Sequence, residues 1–139
     1  MTELEVGVVT KLLSSGTPEA GRFLAQLPYA RVVATWGVGS PSVDLEIGPG
    51  AVPVSGSTDG ILAGGAVRDA DGAPVGEVLV WVGDGWLSGI EYAWYTDERP
   101  RALPDPDRID PVVGLVGHVR RRVRPGRGDP AGPGPVTLR

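Results

Sequence analysis

Apolar positions along the chain change period twice. Leu4, Val8, Val9, Leu12 and Leu13 recur at helical spacing. Thr2 and Glu5 frame the start of that stretch as a T-x-x-E capping box. Glu3 and Glu5 suit the positive end of the helix dipole, Lys11 suits the negative end, and Gly16 is a natural stop. Thr17-Pro18 opens a second helix, with Thr as N-cap and Pro in the first turn. Ala20, Phe23, Leu24 and Leu27 make its apolar stripe, and Pro28 ends it. The pattern predicts a helical hairpin, 3–14 and 18–27, with both stripes in the core.

From residue 29 the period is two. YARVVATW (29–36) is rich in strand formers. SVDLEI (42–47) alternates, with Val43, Leu45 and Ile47 on one face and Ser42, Asp44 and Glu46 on the other. A Gly/Pro/Ser connection (48–60) leads to ILAGGAVRD (61–69), a strand weakened by a glycine pair. DADG (69–72) turns the chain into GEVLVWV (76–82), an apolar run suited to the middle of a sheet. GDG (83–85) is a hairpin turn, and WLSGIEYAWY (86–95) returns. Helices followed by strands indicate an α+β fold: an N-terminal helical hairpin packed on a mostly antiparallel sheet of four or five strands.

After Thr96 the pattern is lost. DERPRALPDPDRIDP has four prolines in fifteen residues, which excludes a central strand and predicts a surface wrap. The folded domain is therefore expected to span 1–109, with a basic Arg/Pro/Gly-rich tail over 110–139. Within the tail, Asp110-Pro111 can cap a short helix, 111–124. Val112, Val116, Val119 and Val123 would form its stripe, with Arg120, Arg121, Arg122 and Arg124 around it.

The 86–95 strand has two faces. Trp86, Ser88, Ile90, Tyr92 and Trp94 form the more apolar one, which is assigned to the core under the helices. Leu87, Gly89, Glu91, Ala93 and Tyr95 form the other. Turn length decides what Glu91 meets. A three-residue loop sets Glu77 opposite Glu91, and directly opposed like charges need a cation, a shared proton or screening solvent. A two-residue Asp84-Gly85 turn, which Asp-Gly favours, sets Glu77 opposite Tyr92 instead.

Charge sharpens this picture. The net charge of −4 conceals an asymmetry: residues 1–98 carry 13 acidic and 4 basic side chains, and 99–139 carry 4 acidic and 9 basic. The body repels nucleic acid and the tail attracts it. With no cysteine, thiolate catalysis, disulfides and cysteine metal sites are excluded. The one histidine, His118, lies in the tail, so a Ser-His-Asp arrangement is poorly supplied. No catalytic residues, metal ligands or cofactor are assigned. The acidic N-terminus does not read as a secretion signal and no apolar run reaches membrane-spanning length, which points to a cytoplasmic protein.

ATWGVGSPSVDLEI (34–47) and GEVLVWVGDGWLSGIEYAWYTDERPRALPDPDRI (76–109) resemble a group of small uncharacterised bacterial proteins of actinobacterial type. The shared element is a DG-x-L-S-x-[LI]-E hairpin followed by a P-x-P-D end. On that resemblance Asp44, Asp84, Gly85, Leu87, Ser88 and Glu91 are the positions to watch. Gly37, Val38, Gly39 and Ser40 stand where the group has a small Cys/Gly cluster. The resemblance implies no activity.

Three functional expectations follow. The first is a non-enzymatic protein-binding domain whose acidic sheet face, with Asp44, Glu46, Glu91, Tyr95, Asp97 and Glu98, engages a basic protein partner. By analogy with small acidic α+β proteins that neutralise basic toxins, this domain is immunity-like. The second is a carboxylate-dependent hydrolase or cation site built on the candidate pair Glu77 and Glu91, with Asp44. The third is nucleic-acid or anionic-surface binding through Arg120, Arg121, Arg122 and Arg124.

Overall fold

Thr2 caps the first helix as its spacing requires. Its hydroxyl accepts from the Glu5 amide at 3.1 Å, and the Glu5 carboxylate accepts from the Thr2 amide at 2.8 Å. In the computed structural model, which describes residues 1–112, helix α1 spans Glu3–Ser15 and α2 spans Pro18–Gly21. Thr17 caps α2 through the Ala20 amide at 3.2 Å. Only the first turn of the expected second helix is α. It continues as a 3₁₀ segment, Arg22–Tyr29, with Pro28 inside it. Gly21 is a poor helix former, and Pro28 supplies no N–H and disfavours the α conformation at Leu27.

Six strands follow: β1 Ala30–Thr35, β2 Val43–Ile47, β3 Gly60–Arg68, β4 Pro74–Gly83, β5 Trp86–Trp94 and β6 Ile109–Val112. They form one sheet in the order β1-β2-β5-β4-β3-β6, and every neighbouring pair is antiparallel. The fold is thus α+β with one strand more than the pattern predicts. The extra strand is β6, the end of the Pro-rich wrap, pairing with β3 at the sheet edge. An edge position tolerates Pro111, whose missing N–H costs an inner strand a ladder bond. Pro111 and Val112, where the sequence pattern starts a helix, therefore close a strand, and Asp110 forms an ion pair with Arg68 at 2.9 Å instead of capping a helix. The rest of that segment, including Arg120, Arg121, Arg122 and Arg124, lies outside the described residues.

One face of the sheet is covered by the helices. Val78, Val80 and Val82 of β4, Leu87, Ile90 and Tyr92 of β5, Val43 and Leu45 of β2, and Ala63 and Val67 of β3 meet Val8, Val9, Leu12, Leu13 and Phe23 there. Each such side chain contributes about 1.5–3 kcal/mol by leaving water. The glycine pair in β3 has a packing reason. A Cβ on Gly65 would lie 2.5 Å from Ile109 Cγ2 and 3.1 Å from Leu12 Cδ2, so its absence lets α1 and β6 close on β3.

A buried amide joins the helical layer to the hairpin end. Gln26, 1% exposed, donates from Nε2 to the Gly85 carbonyl at 2.8 Å and to the Val52 carbonyl at 3.1 Å. Its Oε1 accepts from the Leu87 amide at 2.9 Å. One side chain thereby satisfies three backbone groups around the β4–β5 turn, and that turn sets the register described next.

Candidate functional site

The β4–β5 turn is the two-residue form. Asp84 and Gly85 both have positive φ, 53° and 84°, as a type I′ turn requires, and Gly83 pairs with Trp86. The ladder then shifts. Val82 pairs with Leu87 but Trp81 pairs with Gly89, so Ser88 is an extra residue in a β-bulge. The bulge reverses the alternation at the start of β5. Leu87, expected on the outer face, is buried in the core beside Ile90 and Tyr92. Trp86 and Ser88, expected inside, are only half-buried, and Trp94 is exposed.

The same shift changes what each of the two candidate carboxylates faces. Glu77 lies opposite Ala93, and Glu91 lies opposite Leu79. Neither register drawn from the turn alone is adopted. The two acids share a face and sit on a diagonal rather than directly opposite, a spacing that long side chains still span. Among the described residues no group of three or more His, Cys, Asp or Glu is placed to hold a metal ion.

What the register does bring together is a second arrangement, on the sheet face away from the helices. β2 pairs with β5 so that Asp44 is opposite Gly89, and β4 pairs with β5 so that Trp81 is opposite the same glycine. A Cβ on Gly89 would lie 3.8 Å from Trp36 Cζ2 and 3.9 Å from Trp81 Cβ, so two tryptophans flank the buried backbone of Gly89. Each indole donates to a carboxylate: Trp36 Nε1 to Asp44 Oδ1 at 3.1 Å, and Trp81 Nε1 to Glu91 Oε1 at 3.1 Å. Asp44 is 4% exposed, Trp81 is buried, and Trp36 and Glu91 are half-buried. Small residues continue the face: Gly64 and Ala66 on β3, Ala93 on β5.

The other expected site residues are distributed around this centre. Glu46, two residues along β2 from Asp44, forms an ion pair with Arg31 of β1 at 2.6 Å. Both partners are more than half exposed, so the pair contributes at most about 1 kcal/mol. Tyr95 stands just past β5 with its ring exposed, its backbone amide bonded to Val75 at 2.8 Å. Asp97 and Glu98 are exposed in the exit loop. That loop is tied to the 37–40 turn by Arg99, which donates to the Val38 carbonyl at 2.8 Å.

Sequence reasoning missed the roles of Trp36, Trp81 and Ser42. Ser42, expected to face out with Asp44, is buried, and its hydroxyl accepts from the Tyr92 amide at 2.9 Å, holding β2 onto β5. Trp81 carried a usable signal: it lies in phase with Glu77 and Leu79 along β4.

Chemically, the arrangement suits a cation. Carboxylates are acceptors for cationic N–H groups. An aromatic face attracts guanidinium or ammonium by about 0.5–2 kcal/mol. No helix among the described residues is long and apolar enough to cross a membrane. No family model matches the chain, and no curated protein and no solved structure matches it either.

Proposed function

We propose that this protein is a non-catalytic binding domain whose outer sheet face receives an arginine- or lysine-bearing segment of a protein partner. The observation that carries the reading is the pair of indole–carboxylate bonds, Trp36–Asp44 and Trp81–Glu91, on either side of Gly89. The indoles hold both carboxylates in place, so a cationic side chain meets preoriented acceptors beside aromatic rings. The excess of acid over base in residues 1–98 steers such a partner toward the body. In its narrowest form the partner is a basic toxin, and binding neutralises it.

Titration calorimetry of the full chain with a nona-arginine peptide tests this. Glu91→Gln should weaken binding by about tenfold, the scale of a central contact. Asp71→Asn makes the same change in net charge at an exposed turn position and should weaken it less than about twofold. Equal losses in the two variants would reduce the interaction to non-specific attraction and refute the site.

A further inference from the structure

Strand β6 brings the basic end of the chain to the outer face. Ile109 enters the core, so alternation along β6 turns Asp110 and Val112 away from the helices. Asp110 is engaged by Arg68. Val112 lies opposite Gly64, Gly64 opposite Leu79, and Leu79 opposite Glu91, so Val112 and Glu91 share one row across the sheet. β6 is antiparallel to β3 and so points towards its Ile61 end. Ile61 opens the neighbouring row, which continues through Trp81 and Gly89 to Asp44. Three strand spacings separate Val112 from Glu91, about 14 Å at about 4.8 Å each.

The sequence beyond Val112 supplies cations within that reach. Residues 113–139 carry six arginines and one aspartate, and four of the arginines fall within 120–124. The eight residues from Val112 to Arg120 span up to about 26 Å when extended. The face they would reach has the opposite charge. Its Arg31 and Arg68 are matched by Glu46 and Asp110, and Asp44, Glu77 and Glu91 give it an excess of acid. Burial follows the same path. A sheet face without helices is ordinarily solvated, yet Leu79 is 3% exposed and Gly64 beside it is buried. Both lie in the row between Val112 and Glu91, where a further segment crossing the strands would shield them.

We propose that segment 120–124 of the same chain docks on the outer face and occupies it until a basic partner displaces it. Its guanidinium groups meet Asp44, Glu77 and Glu91 beside the Trp36 and Trp81 rings. This docking rests on the cation-accepting role proposed above for the face, and it names the ligand that a partner must compete with. All cations of 113–139 are arginine, whose planar fork suits both carboxylates and aromatic faces. Being tethered, the segment meets the face at an effective concentration of about millimolar. A free partner then binds with an affinity lowered in proportion to the fraction of open face, so weakly basic segments are refused.

The chain has no cysteine, so Gly126→Cys gives the full chain a single nitroxide label next to these arginines. Nuclear magnetic resonance then reads which protons the label approaches. The indole N–H signals of Trp36 and Trp81 should lose most of their intensity, and the amide signals of Val8 and Leu12 in α1, beyond the sheet, should keep most of theirs. Adding Arg120→Gln, Arg121→Gln, Arg122→Gln and Arg124→Gln to the labelled chain should restore the indole signals. Equal attenuation of indoles and α1 amides, or indole attenuation unchanged by the arginine substitutions, would overturn the docking. So would attenuation that persists when label and isotope sit on different molecules, which would make it a contact between copies. Absent attenuation with nona-arginine still shifting the Trp36 and Trp81 signals would remove the docking alone, and absence of both effects would remove the cation-accepting face with it.

Discussion

The two faces of the sheet are built from the same strands by opposite rules. On the helix-covered face almost every residue is aliphatic, and Val78, Val80, Ile90 and Phe23 are fully shielded from water. On the other face Leu79, Trp81 and Asp44 are also buried, at 3%, 8% and 4% exposure, yet carboxylates and indoles stand among them. Burial of a charge is costly unless it is hydrogen-bonded. The inner face therefore reads as packing that holds the fold, and the outer face as polar chemistry that the fold holds in place. If that division is right, substitutions on the inner face cost stability, and conservative substitutions on the outer face cost binding.

The largest effect is expected at the middle of the inner face. Phe23→Ala should lower unfolding free energy by about 3–5 kcal/mol in urea titrations. A loss below about 1 kcal/mol would mean that the helical layer does not pack as described. Gln26→Leu comes next, at about 2 kcal/mol, because it leaves the Leu87 amide buried without its acceptor. The Gly85 carbonyl still accepts from the Val54 amide at 2.9 Å, which limits the loss. Gly65→Ala should cost about 1–3 kcal/mol by overpacking against Ile109 and Leu12.

Tyr92 offers a finer test of the inner face. Burial raises its pKa above the ordinary 10.0, since desolvation penalises the phenolate. A raised folded pKa means that folding favours the protonated phenol. That contribution is complete below pH 10 and is lost as pH rises through the folded pKa. Urea midpoints of the wild type should fall more steeply above about pH 10 than those of Tyr92→Phe. Parallel curves would place Tyr92 in water. The smallest stability change is expected on the outer face, where Glu91→Gln keeps the shape and an acceptor for Trp81. It should cost less than about 1 kcal/mol, within the ordinary range for such hydrogen bonds, while weakening nona-arginine binding.

The inner face was the more legible from sequence. Helical spacing in Leu4–Leu13 and the Thr2 and Thr17 caps locate the helical layer, and alternation in 42–47 orients β2. The Asp84-Gly85 turn length also follows from local chemistry. The outer centre did not follow, for a physical reason. Asp44 meets Gly89 through pairing of β2 with β5, which are far apart in sequence, and periodicity carries no information on which strands adjoin. The bulge at Ser88 then moves Glu91 by one pair, and its only local trace is the glycine beside it. Strand β6 escaped notice because four residues containing Pro111 become a strand only through the β3 edge.

The central claim is that a cationic segment binds over Gly89 between Trp36 and Trp81. The chain has four tryptophans, so it offers four indole N–H reporters. Nuclear magnetic resonance of those four signals, assigned by single Trp→Phe variants, follows them directly during titration with nona-arginine peptide. The account predicts saturable shifts of the Trp36 and Trp81 signals, with those of Trp86 and Trp94 nearly stationary. Shifts of Trp86 and Trp94 as large as those of the other two, or no shift at all at saturating peptide, would contradict it.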